Sequence, residues 1–326
     1  MIWNQWYAVL PSTAIKSGKI LAAKRMGLEL AFFRNGKGNA ACVEDKCSHR
    51  GAALSGGKVK GDCVMCPFHG LEFDNNGACR YVPSYGKSSV KDLSRYNVKR
   101  YIVREENSII YLWYGDEDKV TDKLPFFHGF VDRSYVFSEV EDLWNSHYSR
   151  CIENQLDVVH VPIVHHNTIG RGNKTLINGP KVIFENGMLT TSANNEVDTG
   201  QKPKPADECV IKDTYLNFIF PNIWMNHISK KIKVIIYFAP VDEENTILYI
   251  RFYHRITGNG IADRAIAFAG KYANLIIERQ DKRVVVTQKP KSSSLKGGEK
   301  LLTGDGPIIA YRRMREELKG LGNTGK

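Results

Sequence analysis

Two short loops each offer a thiol and an imidazole, Cys47-Ser48-His49 and Cys66-Pro67-Phe68-His69. A C-x-H or C-x-x-H spacing lets a tight loop aim both side chains at one site, and two such loops supply four ligands. Convergence of these four groups is the strongest constraint on how the chain folds. Residue chemistry alone admits two occupants. One is a diiron cluster, whose thiolates suit the more oxidised iron while neutral imidazoles on the other iron raise the potential. The other is a Cys/His zinc site, to which Cys63 adds a Cys63-x-x-Cys66 pair. Pro67, Phe68 and Gly70 around the second loop favour the cluster.

The pattern resembles the Rieske [2Fe-2S] signature at every ligand position. The resemblance implies that Cys47, His49, Cys66 and His69 hold the cluster on a small all-β domain. The local sequence reads accordingly. Glu29–Arg34 and Ala40–Asp45 form strand candidates about the turn Asn35-Gly36-Lys37-Gly38, and further pairs flank Lys60-Gly61-Asp62 and Asn75-Asn76-Gly77. Asn-Gly favours hairpins because both residues tolerate positive φ. Residues 100–113 read as another hairpin about Glu105-Glu106-Asn107, and both ligand loops are expected at hairpin ends.

A polar break at Gly115-Asp116-Glu117-Asp118-Lys119 sets a domain boundary near residue 116, giving domains of 1–115 and 116–326. Beyond it the sequence predicts a strand over 135–140 and a helix over 142–161. Strand-like segments follow between about 181 and 257, among them Tyr215–Phe220 and Lys233–Phe238, and a long last helix covers 261–288. One helix, a curved antiparallel sheet and a long closing helix make a helix-grip layout, so the fold class is α+β. The tail from Gly320 to Lys326 is expected to fray.

Asn154, Asp157 and His160 recur every three residues and would share one helical face. Pro162 interrupts that helix, and His165 follows. The pattern N-x-x-D-x-x-H-x-x-x-x-H resembles the mononuclear-iron motif of Rieske non-haem iron oxygenases. The resemblance implies His160 and His165 as ligands, with adjacent His166 the weaker candidate. Asp281 lies among Ile277, Val284 and Val285 in the last helix, where an acid is costly unless paired or metal-bound. Asp281, Val284 and Gln288 match the D-x-x-V-x-x-x-Q segment of the third ligand, with Glu278 as runner-up and a buried salt bridge as the bland alternative. Two histidines and a carboxylate on one side of Fe(II) leave positions open for O2 and substrate. In the family, Asp157 bridges His160 to a cluster histidine, here His69, of a neighbouring subunit, and Asn154 supports the iron site. His128 and His147 have no partner at ligand spacing, and His227 and His254 sit in strand candidates, although Trp224, Asn226 and His227 could line a pocket.

The resemblance therefore implies the catalytic subunit of a Rieske oxygenase carrying a [2Fe-2S] cluster and one Fe(II). It would hydroxylate or O-/N-demethylate a small organic substrate, with ring dioxygenation or desaturation as alternatives on the same scaffold. No flavin or nicotinamide fingerprint is present, so electrons are expected from a separate reductase or ferredoxin. A homotrimer is the family expectation. The rival class is a non-enzymatic Rieske electron carrier with a ligand-binding domain, which would have no use for His160, His165 and Asp281. The substrate itself is not legible.

Length and composition are compatible with this. At 326 residues the chain can hold two cores, and 42% hydrophobic with 25% charged residues is ordinary for a globular protein. No run approaches the roughly 18 apolar residues of a spanning helix, and the N-terminus lacks a secretory pattern, so a cytoplasmic location is expected. The seven cysteines suggest no disulfide framework. A net charge of +11 comes from scattered lysines with only a modest cluster between Lys289 and Lys300. No nucleic-acid motif accompanies it.

Overall fold

The computed structural model describes residues 1–323. They divide into two compact units: Asn4–Asp122, and a second that runs from Lys123 onward and also takes in Met1–Trp3.

The first unit is built from β1 (Gln5–Pro11), β2 (Ile20–Arg25), β3 (Leu28–Arg34), β4 (Ala40–Glu44), β5 (Lys58–Lys60), β6 (Cys63–Met65), β7 (Glu72–Phe73), β8 (Cys79–Tyr81), β9 (Arg100–Tyr101), β10 (Val103–Glu106) and β11 (Ile109–Tyr114). These make three antiparallel sheets ordered β1-β11-β10, β2-β3-β4-β9 and β5-β6-β7-β8. Turn chemistry sets several of the hairpins. Asn107 and Ser108 sit at φ 53° and 59° between β10 and β11, as a two-residue turn with left-handed central residues requires. The sequence reading missed β1 and β2. Trp6, Tyr7, Ala8, Val9 and Leu10 are all buried, so β1 shows no alternation to read. Strand β2 is marked only by the Met26-Gly27 turn, with φ 50° and 79°.

The loop predictions need one correction. The second ligand loop joins the paired strands β6 and β7, as a hairpin end should. The first joins β4 to β5, which belong to different sheets, so it is a crossover between layers. Beneath both loops lies a core that includes Phe33, Val43, Leu54, Val64 and Phe73.

The second unit contains β12 (Val136–Trp144), α1 (Tyr148–Leu156), α2 (Val161–Val164), β13 (Leu176–Asn178), β14 (Val182–Glu185), β15 (Met188–Thr191), β16 (Asn194–Glu196), β17 (Tyr215–Ile219), β18 (Ile223–Ser229), β19 (Ile232–Pro240), β20 (Thr246–His254), α3 (Gly260–Val285) and α4 (Gly306–Asn323). Its seven-stranded antiparallel sheet runs β12-β20-β19-β18-β17-β15-β14. Helix α3 packs on β12 and β20, and α1 packs against β19. Gly270 permits the close approach of α3, since a Cβ there would stand 2.5 Å from the Phe252 ring. Asn259 caps α3 by accepting from the Ile261 and Ala262 amides. This is the α+β, helix-grip architecture expected, with no helix among the described residues long and apolar enough to cross a membrane.

One local expectation fails, and one helix was not foreseen. The helix read over 142–161 is in fact the end of a strand, helix α1, and a second short helix. Pairing with β20 carries β12 through Trp144, opposite Thr246. Asp157 then leaves the helix at φ −76°, ψ 125°. Helix α4 is absent from the sequence reading. Of the tail expected to fray, residues 320–323 end α4, and 324–326 lie outside the described residues. Tyr311 of α4 stacks on Phe220 at 5.6 Å in the same core as Trp144 and Tyr148. A buried ionic knot adds to this. Glu153 of α1 accepts from Arg312 Nε at 2.7 Å and Nη2 at 3.0 Å, and from Arg150 Nη1 at 3.1 Å.

Candidate metal centres

In the first unit the two ligand loops repeat one backbone design. The Cys47 amide donates to the Ala52 carbonyl, and the Gly51 amide donates back to the Cys47 carbonyl, both at 2.8 Å. The Cys66 amide donates to Leu71 at 2.8 Å, and the Gly70 amide to Cys66 at 3.2 Å. Gly51 and Gly70 have φ 76° and 73°, left-handed values that favour glycine at this turn. Each loop buries its cysteine, at 2% exposure for both Cys47 and Cys66, and leaves its histidine outside. The His49 and His69 rings meet edge-to-face with centroids 4.5 Å apart.

Burial raises the Cys47 thiol, the His49 amide lowers it, and the neighbouring Cys66 sulfur raises it again. Both cysteines are free thiols. Two buried sulfurs side by side, with two imidazoles beyond them, fit a cluster bound by thiolates on one side and imidazoles on the other. Cys63 stays half-buried on β6, its thiol raised by burial and by the carboxylates of Asp74 and Glu72. Cys42, Cys79, Cys151 and Cys209 are buried.

In the second unit the break after α1 builds the other site. Asp157 Oδ1 accepts from the Val159 amide at 2.6 Å, which fixes the turn that hands the chain to α2. His160 caps α2 and His165 ends it. Their Nε2 atoms lie 3.3 Å apart, and Asp281 Oδ1 from α3 lies 3.3 Å from the first and 2.9 Å from the second. Neighbouring corners of an octahedron with bonds of about 2.1 Å are about 3 Å apart, so this spacing suits three ligands on one face. Asp281 is 3% exposed, and its Oδ1 takes no hydrogen bond from the described residues. Three convergent atoms with a lone pair to offer, one of them an orphaned buried oxygen, fit a cation at their centre.

The surroundings select the atoms that converge. Gln280 Oε1 lies 2.7 Å from His165 Nδ1 and also accepts from Thr168 Oγ1 at 2.9 Å. Gln280 Nε2 donates to Asn167 Oδ1 at 3.1 Å. With the amide so oriented, His165 must donate from Nδ1, and its Nε2 is left with a lone pair. Gln155 Nε2 reaches Asp281 Oδ2 at 3.4 Å and Glu278 Oε2 at 3.2 Å. Asp157 Oδ2 lies 3.4 Å from His160 Nδ1. With protein groups alone, burial pulls His160 down, but Asp157 and Asp281 push it up to about 9. Burial raises Asp281, yet His160 and His165 hold it at about 2. Burial and the Asp281 carboxylate push Glu278 well up.

The structure thus brings His160, His165 and Asp281 together, with Asp157 beside His160. Glu278 sits one turn away, outside the convergent trio. His166 is exposed, its Nδ1 near the Ile163 carbonyl. Asn154 lines a cavity, and its buried Nδ2 has no partner among the described residues. Val284, read from sequence as part of an apolar stripe about Asp281, is 42% exposed, and Gln155 and Glu278 stand around the acid instead. Neither Gln155 nor Gln280 was read from the sequence as supporting the site. Only the adjacency of Gln280 to Asp281 hinted at a role. A cavity of about 820 Å³ opens beside the trio, lined by Trp224 and Asn226 among others. His227 stacks on Tyr215 at 4.3 Å. His147 and His254 are buried, hydrogen-bonded to Ser149 and the Asp263 carbonyl.

Residues 5–101 match the Rieske [2Fe-2S] domain model, and residues 144–319 match the vanillate O-demethylase oxygenase C-terminal domain. The chain belongs to the Rieske non-haem iron oxygenases. Members of this family use a Rieske cluster and a mononuclear non-haem iron. The oxygenase component of a chloroacetanilide N-alkylformylase from Rhizorhabdus wittichii is 34% identical over 51% of this chain and 47% of its own length. The iron-sulfur subunit of a toluene-4-sulfonate monooxygenase system from Comamonas testosteroni is 29% identical over 52% and 48%. A cholesterol 7-desaturase from Drosophila melanogaster is 31% identical over 54% and 39%. The chain spans about half or less of the length of these relatives. In fold it is similar to Pseudomonas putida CBB5 NdmA, with TM-score 0.78 and 21% identity over 97% of this chain and 90% of that one. Dicamba monooxygenase bound to dicamba gives 0.77 and 20% over 100% and 99%.

Proposed function

We propose that this Rieske oxygenase is the catalytic component of a multicomponent system. It takes O2 and electrons from a separate reductase or ferredoxin and monooxygenates a small organic substrate, by hydroxylation or by O- or N-demethylation. The observation that supports this best is the trio His160, His165 and Asp281 opening on a large cavity, in a chain that also has the two Cys/His loops. A bare electron carrier has no use for the trio.

Cys47, His49, Cys66 and His69 would hold the [2Fe-2S] cluster, and His160, His165 and Asp281 one Fe(II). Residues 1–115 would then serve electron storage and 116–326 catalysis. Bound there, the cluster supplies electrons singly and the ferrous ion activates O2. The chain does the rest. Gln280 keeps the proton on His165 Nδ1, Gln155 holds Asp281 Oδ2 so that Oδ1 faces the histidines, and Asp157 orients His160. Asn154 faces the cavity beside them. The apolar walls position the substrate and limit water. A homotrimer in the cytoplasm completes the proposal, the latter in keeping with free thiols at all seven cysteines.

Turnover in ¹⁸O2 with a generic reductase is the test. One labelled oxygen in a hydroxylated product, or in the carbonyl fragment of a demethylation, is expected. Label in both atoms of a cis-diol refutes monooxygenation in favour of dioxygenation, and unlabelled product with a new double bond refutes it in favour of desaturation.

A further inference from the structure

The charges around the cavity are one-sided. Four acids, Asp157, Asp213, Glu278 and Asp281, line it, and Lys212 is the one lysine or arginine among its described lining residues. Lys212 is exposed at the rim, so no ammonium or guanidinium stands inside. A divalent ion among His160, His165 and Asp281 would bring two positive charges, which Asp281 and Asp157 offset. An anionic ligand would therefore give up its hydration and meet no net positive wall.

Two residues of the cavity wall carry unpaired, buried polar atoms. Trp224 is 4% exposed on β18, and its indole N–H has no acceptor among the described residues. Asn226, two residues along the same strand, has an Oδ1 with no donor among the described residues. Both residues line the cavity, where Val158, Leu216 and Ile277 supply apolar wall. A buried donor and a buried acceptor left without partners cost stability until a ligand satisfies them.

We infer that the cavity selects an uncharged, largely apolar substrate that accepts from Trp224 Nε1 and donates to Asn226 Oδ1, and rejects carboxylates and sulfonates of the same shape. This deepens the oxygenase reading and rests on it for calling the occupant a substrate. A primary or secondary amide on a ring system meets both requirements, with its carbonyl toward the indole and its N–H toward the asparagine.

The test is a fluorescence titration of the iron-loaded full chain with pyrene carboxamide and with pyrene carboxylate. The amide should bind at least tenfold more tightly. Trp224→Phe should weaken amide binding by about tenfold, and Asn226→Leu should weaken it similarly. Equal or tighter binding of the carboxylate overturns the inference, as does failure of the amide to bind. Retention of the cluster's visible absorbance shows that each variant has folded, and the wild-type comparison decides even if Trp224→Phe does not. Iron content separates the two levels of argument. A chain with cluster and mononuclear iron that prefers the carboxylate overturns only this inference, whereas a chain without mononuclear iron overturns the oxygenase reading.

Discussion

Gln280 Oε1 and His165 Nδ1 are 2.7 Å apart, and this contact joins the helix that carries Asp281 to the turn that carries the histidines. Asn167 and Thr168 lock the amide so that only its oxygen can face the ring. Gln280→Leu should lower the affinity of the apoprotein for Fe(II) or Co(II) by about 10–100-fold, the range typical for losing a partner of a ligand histidine. Gln280→Glu, which still offers an acceptor, should recover most of it. Equal metal titrations for all three proteins would remove Gln280 from the site.

The ionic knot about Glu153 makes a second prediction. Glu153→Leu leaves Arg150 and Arg312, each with a nearly inaccessible side chain, with the more exposed Glu299 as their one acidic partner among the described residues. Breaking a buried pair from one side costs about 3–5 kcal/mol. Urea unfolding should read a loss of that order, with the cluster's absorbance unchanged under native conditions. A loss below about 1 kcal/mol would mean that water already solvates the arginines.

His147 accepts from the Ser149 amide as the cap of α1. Burial, with Arg315 and the N-terminal ammonium adding, lowers it from 6.5 to about 3. Glu243 lies 3.4 Å from Nε2 but is 76% exposed, so its opposing pull is screened. The unfolded chain therefore binds the proton first, and stability present above pH 6.5 is lost as pH falls toward 3. His147→Asn keeps a capping acceptor and removes the titration. The variant should lose roughly 3–5 kcal/mol less than wild type across that interval. Parallel acid profiles by calorimetry would contradict this.

Cys66→Ser should abolish the visible absorbance and the low average g-value of a mixed His/Cys cluster. Cys63→Ser should preserve both, because Cys63 remains on β6 beside Glu72 and Asp74. The reverse pattern would make Cys63 the ligand.

Asp157→Asn is expected to retain both metals and to slow electron transfer from reduced cluster to iron by at least tenfold, if Asp157 links His160 to His69 of a second copy. Stopped-flow reoxidation in the presence of substrate measures it. A monomer fully active at high dilution would rule out the link between copies.

Much of this was legible because the ligands lie in short, strongly patterned segments. Cys47, His49, Cys66 and His69 stand in loops whose turn residues are fixed by backbone φ, which local sequence records. The boundary of α1 was not legible. The run from Asp142 to Trp144 is held in a strand by β20, a hundred residues away, and local propensity cannot weigh such a pairing. Helix α4 was passed over for the opposite reason. Its Ile308, Tyr311, Met314 and Leu318 keep helical spacing, but the glycines and lysines at its end resemble a frayed tail. Gln155 and Gln280 gave no signal because an amide's role depends on what it faces.

The inward sulfurs and outward rings of the two Cys/His loops bear on timing. A cluster held by these four residues would have the exposed His49 and His69 on its solvent side, so a redox partner could reach it by touching the surface, without prising the fold open. The speed of such an exchange would be set by how often two proteins collide in the right attitude. Arg50, over the Phe68 ring at 5.4 Å, puts a positive charge beside the loop of His69. Added salt should therefore slow reduction by an acidic donor protein while leaving reduction by a small neutral dye untouched.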